Sequence, residues 1–219
     1  MVHAADGGEG ASQAGAAACV APVFPLPNVF LFPGTRMPLH VFEPRYRALV
    51  RDLLDGPGRL VLGTLRESGA KPFLSGACGK PEFLRIGGLG EIVQHEQLDD
   101  GRFYILVAGL ARVRVEEVPC DKLYRTVRVL PVKETPVCPS REALLREKLS
   151  CAVLKRCREL PGLPTDVPLT QLADLLLLRL QLPQAVMEPL FCELDVEARV
   201  LAALAEHARR PLPPSGGTA

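Results

Sequence analysis

The chain has 219 residues, of which 47% are hydrophobic, so it is long enough to bury a substantial core. Lysine and arginine total 26 while aspartate and glutamate total 25, which excludes a global charge that would attract nucleic acid or an anionic membrane. The seven cysteines include no C-x-x-C pair, a pattern typical of free thiols in a reducing cytosol and not of a disulfide framework.

The two ends and the apolar runs of the chain predict a cytoplasmic protein without a membrane partner. Residues 1–19 are rich in Ala and Gly and lack the basic start and apolar middle of a signal peptide. We expect these residues and residues 211–219 to be disordered tails. No apolar run reaches the roughly 20 residues of a membrane-spanning helix, because Asp174 and Arg179 interrupt the Leu-rich stretch at 172–182.

Residues 20–133 have the pattern of a β-rich lobe. Short apolar runs bounded by Pro and Gly predict strands, and Asp99-Asp100-Gly101 predicts the turn of the clearest hairpin. Gly109 lies inside the longest run and predicts a bend or bulge, which favours a small barrel. The predicted strands are Val23–Leu26, Val29–Phe32, Met37–Phe42, Arg59–Arg66, Leu84–Gln97, Arg102–Val118 and Leu123–Pro131.

One helix is predicted among these strands. Pro44 suits the first helical position, where its missing N–H is not needed, and Gly56 suits the end. Apolar residues recur between them at helical spacing, so we expect one face of this helix to cover the barrel; these residues are Tyr46, Leu49, Val50, Leu53 and Leu54.

Residues 134–210 have a helical hydrophobic period and are predicted to form a second lobe. Ser140 is expected to cap a helix of about twenty residues, and Asp195 is expected to cap the last helix. The shorter predicted helices are Thr170–Leu182, Gln184–Glu193 and Val196–Arg210. The predicted fold class is therefore α+β, with a β pseudo-barrel and its covering helix followed by a C-terminal helical lobe.

The motifs of common enzymes and metal sites are not matched. A phosphate-binding loop needs a hydroxyl after its lysine, but Lys80 is followed by Pro81. His95-Glu96 opens like a zinc-protease motif, but Asp99 stands where the second histidine is required. We therefore predict no catalytic residue, no cofactor and no metal.

A loop rich in Gly, Pro and Ser at residues 67–82 carries apolar side chains that could bind a partner. Phe73 and Leu74 lie within it, and Phe83 and Leu84 follow directly. These four residues could form an exposed patch that contacts extended polypeptides, or they could pack beneath the loop as a satellite cluster. The arginines of the β lobe are interleaved with acidic residues, so nucleic-acid binding is not favoured.

Three blocks of the sequence resemble one protein family, the N-terminal substrate-binding domain of ATP-dependent Lon-type proteases, a domain also used in cereblon. The most specific block is LPNVFLFPGTRMPLHVFEPRYRALV at residues 26–50. The second comprises Ile86-Gly87, Gly90–Glu96, Asp100–Arg102 and Gly109–Val113. The third and weakest is QLADLLLLRLQLP with the following ELDVEARVLAAL. Together the blocks extend over residues 20 to 210.

The resemblance implies a PUA-like pseudo-barrel followed by a helical lobe, and a non-enzymatic module that binds unfolded or extended polypeptides. Because no ATPase or Ser-Lys protease domain follows, we expect a free-standing module, with a separate protease as a second partner. Two alternatives remain open, an RNA-binding PUA-like protein and a regulatory adaptor of a separate protease. We expect structural roles for six residues of the family pattern, namely Glu43, Pro44, Arg45, Tyr46, Gly87 and Arg112.

Overall fold

The computed structural model describes residues 19–66, 81–157, 160, 162–164 and 166–213. Phe73 and Leu74 lie outside these residues, as do residues 1–18 and 214–219 of the predicted tails, whereas Cys19 begins the first strand. The described elements are β1 (Cys19–Pro27), β2 (Arg36–Val41), α1 (Pro44–Leu54), β3 (Arg59–Leu65), β4 (Ile86–Gln97), β5 (Phe103–Val118), β6 (Arg125–Pro131), α2 (Pro139–Arg156), α3 (Leu169–Leu180), α4 (Gln184–Cys192) and α5 (Val196–Arg209).

The six strands form one sheet in the order β2-β5-β4-β3-β1-β6, and β6 also pairs with β5. The pairing of β1 with β3 is parallel and the other pairings are antiparallel. Because β6 contacts both β1 and β5, five strands close into a barrel from which β2 extends along the first half of β5. The predicted α+β pseudo-barrel is therefore confirmed.

The irregularity predicted near Gly109 is also confirmed. Leu89 pairs with Ala111 while Gly90 pairs with Gly109, so Leu110 is an extra residue in β5. Such a bulge increases the local twist, which the long strand needs in order to pair with β2 at one end and with β6 at the other.

The predicted strand at Val29–Phe32 is wrong. This segment has no strand pairing and crosses the face of β4 and β5 instead. Glycines allow the close approach: a Cβ atom on Gly88 would overlap the carbonyl oxygen of Leu31, and one on Gly109 would overlap that of Phe32. The amide of Gly34 donates to the carbonyl of Gly109 at 2.9 Å and fixes the crossing.

The crossing segment contributes to two cores. Leu31 is buried with the apolar face of α1, where Tyr46, Leu49, Val50 and Leu53 are buried as predicted. Phe30 and Phe32 instead pack with α2 to α5, and the rings of Phe32 and Phe191 lie 5.2 Å apart edge to face. The barrel and the helices thus share apolar core, and the boundary predicted at residues 133 and 134 remains a prediction.

Of the two predicted helix caps, Asp195 is confirmed and Ser140 is wrong. The Asp195 carboxylate accepts a hydrogen bond from the Ala198 amide at 2.9 Å, as predicted for the cap of α5. Ser140, however, lies within α2, because the helix begins at Pro139 with Cys138 as its cap residue. Proline is favoured at the first position for the same reason that applies at Pro44. None of the helices that the structure describes is long and apolar enough to cross a membrane.

Candidate functional site

A groove of about 640 Å³ lies where the end of β1, the start of α1 and the connection from β5 to β6 meet. Its walls contain both apolar and charged side chains. The apolar and aromatic lining residues are Pro25, Leu26, Pro27, Tyr46, Leu65, Pro81, Val118, Pro119, Leu123 and Tyr124. Leu123 is 74% exposed although it belongs to this apolar lining, so it is available to a binding partner.

One wall of the groove is the start of α1, which carries four residues of the family pattern. Glu43 occupies the cap position and Pro44 is the first helical residue, so the next two side chains leave the first turn toward the groove. The Arg45 guanidinium forms an ion pair with Glu43 at 2.8 Å and lies 4.5 Å from the centre of the Tyr46 ring. Tyr46 in turn contacts Phe24, with ring centres 4.2 Å apart. Burial raises the pKa of the Tyr46 hydroxyl, so this side of the groove presents a neutral phenol.

Asp52 of α1 stabilises a second wall of the groove through two hydrogen bonds. Its Oδ2 atom accepts hydrogen bonds from Lys122 Nζ and from the Tyr124 hydroxyl, both at 2.7 Å. The hydrogen bond from Lys122, and after it the one from Tyr124, lowers the pKa of Asp52. Burial and the adjacent carboxylate raise the pKa of Tyr124, which stays protonated. These contacts join α1 to residues 122–124 and position Leu123 at the rim.

Arg125 lines the groove and also lines a smaller neighbouring pocket. Its guanidinium forms two hydrogen bonds to Glu117 at 2.8 and 2.6 Å and one to the Pro81 carbonyl at 2.8 Å. The guanidinium also lies 4.3 Å from the centre of the Phe83 ring. This neighbouring pocket has a volume of about 300 Å³, and Phe83 and Arg85 are among its lining residues.

Of the four predicted patch residues the structure describes Phe83 and Leu84, and these two differ in exposure. Phe83 is half-buried beside Arg125 and lines the neighbouring pocket, not the groove. Leu84 is only 4% exposed and belongs to the core of the helices, so its side chain is not available to a partner. Leu123 was predicted as the first residue of a strand and not as a site residue; β6 instead begins at Arg125, and Leu123 lies exposed in the bend before it.

Arg112 lies in a buried ion cluster away from the groove. Its guanidinium donates to both Asp174 carboxylate oxygens at 2.8 and 2.7 Å and to the Phe191 carbonyl at 2.9 Å. Arg199 lies beside it, 2.8 Å from Glu134 and 3.4 Å from Asp174, although these two contacts lack hydrogen-bond geometry. The cluster joins β5 to α3, α4 and α5, and these contacts are compatible with the structural role expected for Arg112.

Gly87, the other family-pattern residue of the barrel, lies in the interior of β4. A Cβ atom there would come within 2.7 Å of Val61 Cγ1, so the residue allows β3 and β4 to pack closely.

The groove has paired charges and no candidate metal site among the described residues. The charged side chains at its rim are paired, as Arg45 with Glu43, Lys122 with Asp52 and Arg125 with Glu117. The residues that the structure describes contain no group of three or more His, Cys, Asp or Glu side chains that could hold a metal ion.

Comparison with known families identifies the kind of domain that this fold represents. The family model for the ATP-dependent protease La (LON) substrate-binding domain matches residues 20–205. This match covers most of the chain, so the protein belongs to the Lon substrate-binding domain family.

Curated relatives and solved structures agree with this assignment. The chain is 25% identical over 190 residues to the Lon protease of Anaeromyxobacter dehalogenans and 28% identical over 194 residues to Lon protease 2 of Myxococcus xanthus. Each match covers 83% of this chain, but the chain spans only 22% of the length of either relative.

Two solved structures have the same fold. One is the N-terminal domain of a Lon protease of the Mycobacterium avium complex, with a TM-score of 0.63 and 20% identity over 87% of this chain and 98% of that one. The other is a Lon N-terminal domain protein from Xanthomonas campestris, with a TM-score of 0.59 and 24% identity over 85% of this chain and 98% of that one.

Proposed function

We propose that this protein is a non-enzymatic module that binds extended segments of other polypeptides in the groove beside Tyr46 and Leu123. The observation that supports this most is the open apolar lining of the groove, with Leu123 exposed at its rim and its charges already paired. The family gives the class of ligand, because the substrates of a protease are polypeptides.

The sheet offers a place for an extended segment. β1 pairs with β6 over Cys19–Val23 only, whereas it pairs with β3 over Val23–Pro27. On its side away from β3, β1 therefore has no β6 partner from Phe24 to Pro27. Pro25, Leu26 and Pro27 of this unpaired stretch line the groove. A segment of another chain could lie along this edge with alternate side chains in the apolar lining.

The composition of the groove predicts weak sequence preference. Pro25 and Pro27 lack an N–H group, so they cannot donate backbone hydrogen bonds to a bound segment. Burial of apolar surface would then supply most of the affinity, at about 25 cal/mol per Å². Such a site favours exposed apolar segments, which unfolded proteins present and folded proteins do not.

The test is the binding of a permanently unfolded protein, such as reduced and carboxymethylated α-lactalbumin with a fluorescent label, measured by anisotropy. We expect binding by the wild type and a loss of about tenfold in affinity for Leu123→Asp, since burial of a leucine contributes roughly 1.5–3 kcal/mol. Leu212→Asp changes another exposed leucine outside the groove and serves as the matched control. Binding that is absent, or that is equal in wild type and Leu123→Asp, would refute the proposal.

The RNA-binding alternative is addressed by the same assay. Labelled single-stranded RNA should not bind with the steep salt dependence of phosphate recognition, because the charges around the groove are paired. A cytoplasmic location is part of the proposal and is supported by free thiols among the described residues, namely Cys19, Cys120, Cys138, Cys151 and Cys192.

A further inference from the structure

A second groove, with a different charge pattern, lies between α2 and α5. The two helices run side by side in the same direction: Arg141 pairs with Glu197 near their starts, and Arg156 Nε donates to His207 Nδ1 at 2.7 Å near their ends. The groove has a volume of about 500 Å³. The groove extends along about two turns of each helix, from Lys148 to Lys155 on α2 and from Leu201 to His207 on α5.

The floor of this groove is apolar and partly exposed. Leu201 is 43% exposed, and Leu204, Ala205, Ala152 and Cys151 line the groove beside it. On α2 the apolar surface continues toward the start of the helix.

Helical spacing extends the apolar surface along α2 to Leu144. Leu144 precedes Lys148 by four residues and Cys151 by seven, which places the three on one face of α2, and Leu144 is 53% exposed. Leu144 and Leu201 therefore offer apolar positions for a helix that would lie between α2 and α5.

The charges at the rim are unbalanced. Lys148 and Lys155 line the groove, no carboxylate does, and neither lysine has an ion-pair partner among the described residues. The nearby carboxylates of α5 are paired, Glu197 with Arg141 and Glu206 with Arg209 and Arg210. Glu147 of α2 is exposed but does not line the groove. This surface differs from the groove beside Tyr46, where the charges are paired.

We propose that the groove between α2 and α5 docks an amphipathic helix of a partner protein, with an apolar stripe on the floor and acidic residues against Lys148 and Lys155. Helix-in-groove binding uses apolar anchors at three- and four-residue spacing, which the exposed Leu144 and Leu201 would contact. Two copies of this chain facing each other here would bring like charges together, which disfavours a second copy as the occupant. The partner is thus distinct from the unfolded client and would recruit the module to another protein.

The test uses two synthetic peptides of about 14 residues, or four turns. Both carry leucines on one face; one has glutamates beside the leucines and the other has lysines. Anisotropy measured with the full chain should show binding of the acidic peptide only. The double variant Lys148→Glu and Lys155→Glu should lose about tenfold or more in affinity for the acidic peptide and gain binding of the basic one.

Two further variants make the result specific. Lys133→Glu changes an exposed lysine outside the groove and should leave the peptide preference unchanged, while Leu201→Asp should weaken binding of the acidic peptide. Circular dichroism confirms that each variant is folded. Equal binding of both peptides, or a preference that survives the double charge reversal, overturns the proposal.

Other occupants of the groove are distinguishable. Concentration-dependent dimerisation in sedimentation experiments that Leu201→Asp abolishes would assign the groove to a second copy and overturn the proposal. Competition between the acidic peptide and unfolded α-lactalbumin would assign it to the client instead. The result is independent of the client groove, because Leu123→Asp should not alter binding of the acidic peptide.

Discussion

At the scale of single residues, the barrel and the helices are joined by a buried cluster of four charges. Asp174 is 2% exposed and Arg112 is 4% exposed, so both are removed from water, and Asp174 accepts two hydrogen bonds from Arg112. A buried pair of this kind adds little net stability compared with apolar side chains, but removal of one partner leaves an uncompensated buried charge.

Asp174→Asn should therefore be strongly destabilising. The asparagine keeps the shape of the side chain but leaves Arg112 and Arg199 with Glu134 as their one remaining carboxylate in the cluster. We expect the free energy of unfolding to fall by about 3–5 kcal/mol in urea denaturation. Glu91→Gln is the control, because it breaks an exposed pair with Arg59 and should cost under about 1 kcal/mol. Similar losses in the two variants would contradict this account.

His207 should make stability depend on pH. Its Nδ1 atom accepts a hydrogen bond from Arg156, and burial and this guanidinium lower its pKa in the folded state. The folded state therefore favours the neutral ring. The stabilisation is complete above the ordinary histidine pKa of about 6.5 and is lost as the pH falls below that value through the lower folded-state pKa.

The measurement is urea denaturation of wild type and His207→Gln between about pH 5 and pH 7.5. The glutamine cannot gain a proton, so its stability should decrease less on acidification than that of the wild type. Parallel decreases in the two proteins would show that His207 does not contribute.

At the scale of elements, the segment before β2 and the glycines beneath it form one unit. Leu31 and Phe32 pass over β4 and β5 so closely that Gly88 and Gly109 have no room for a Cβ atom. At Gly109 the obstacle is the Phe32 carbonyl oxygen, which belongs to the backbone and cannot move by a change of rotamer. The extra residue beside Gly109 in β5 lies at the same crossing.

Gly109→Ala should displace the crossing segment. We expect a loss of roughly 1–3 kcal/mol in stability, the usual cost of overpacking, with a lower melting temperature. Gly162→Ala is the control, since nothing lies within 4 Å of the site where its Cβ would be. An unchanged melting temperature for Gly109→Ala would contradict the close approach.

These elements show which structural features the sequence predicts and why others cannot be predicted from it. The helix α1 was predicted with its buried face because proline position and apolar spacing are local signals. Val29–Phe32 was predicted as a strand because an apolar run does not reveal whether its backbone pairs with a neighbour. Arg112 and Asp174 are 62 residues apart in the sequence, and no local sequence pattern predicts their contact.

At the scale of the whole molecule, the candidate groove combines residues that only the closed barrel brings together. Leu26 and Tyr46 belong to the sequence block at residues 26–50, but Leu123 and Arg125 come from a distant segment. The groove is built on β1, α1 and the β5–β6 connection, whereas the second groove is built on α2 and α5. The molecule therefore has separate surfaces for a client and for a partner in our account.

The central claim is that extended polypeptides bind beside Leu123, and photo-crosslinking tests it most directly. Benzoylphenylalanine would replace Leu123 in one protein and Leu212 in another, and each would be irradiated with unfolded α-lactalbumin. We expect crosslinks from position 123, reduced by excess unlabelled unfolded protein, and none from position 212. Equal crosslinking at both positions, or none at position 123 under conditions where the client is bound, would contradict the claim.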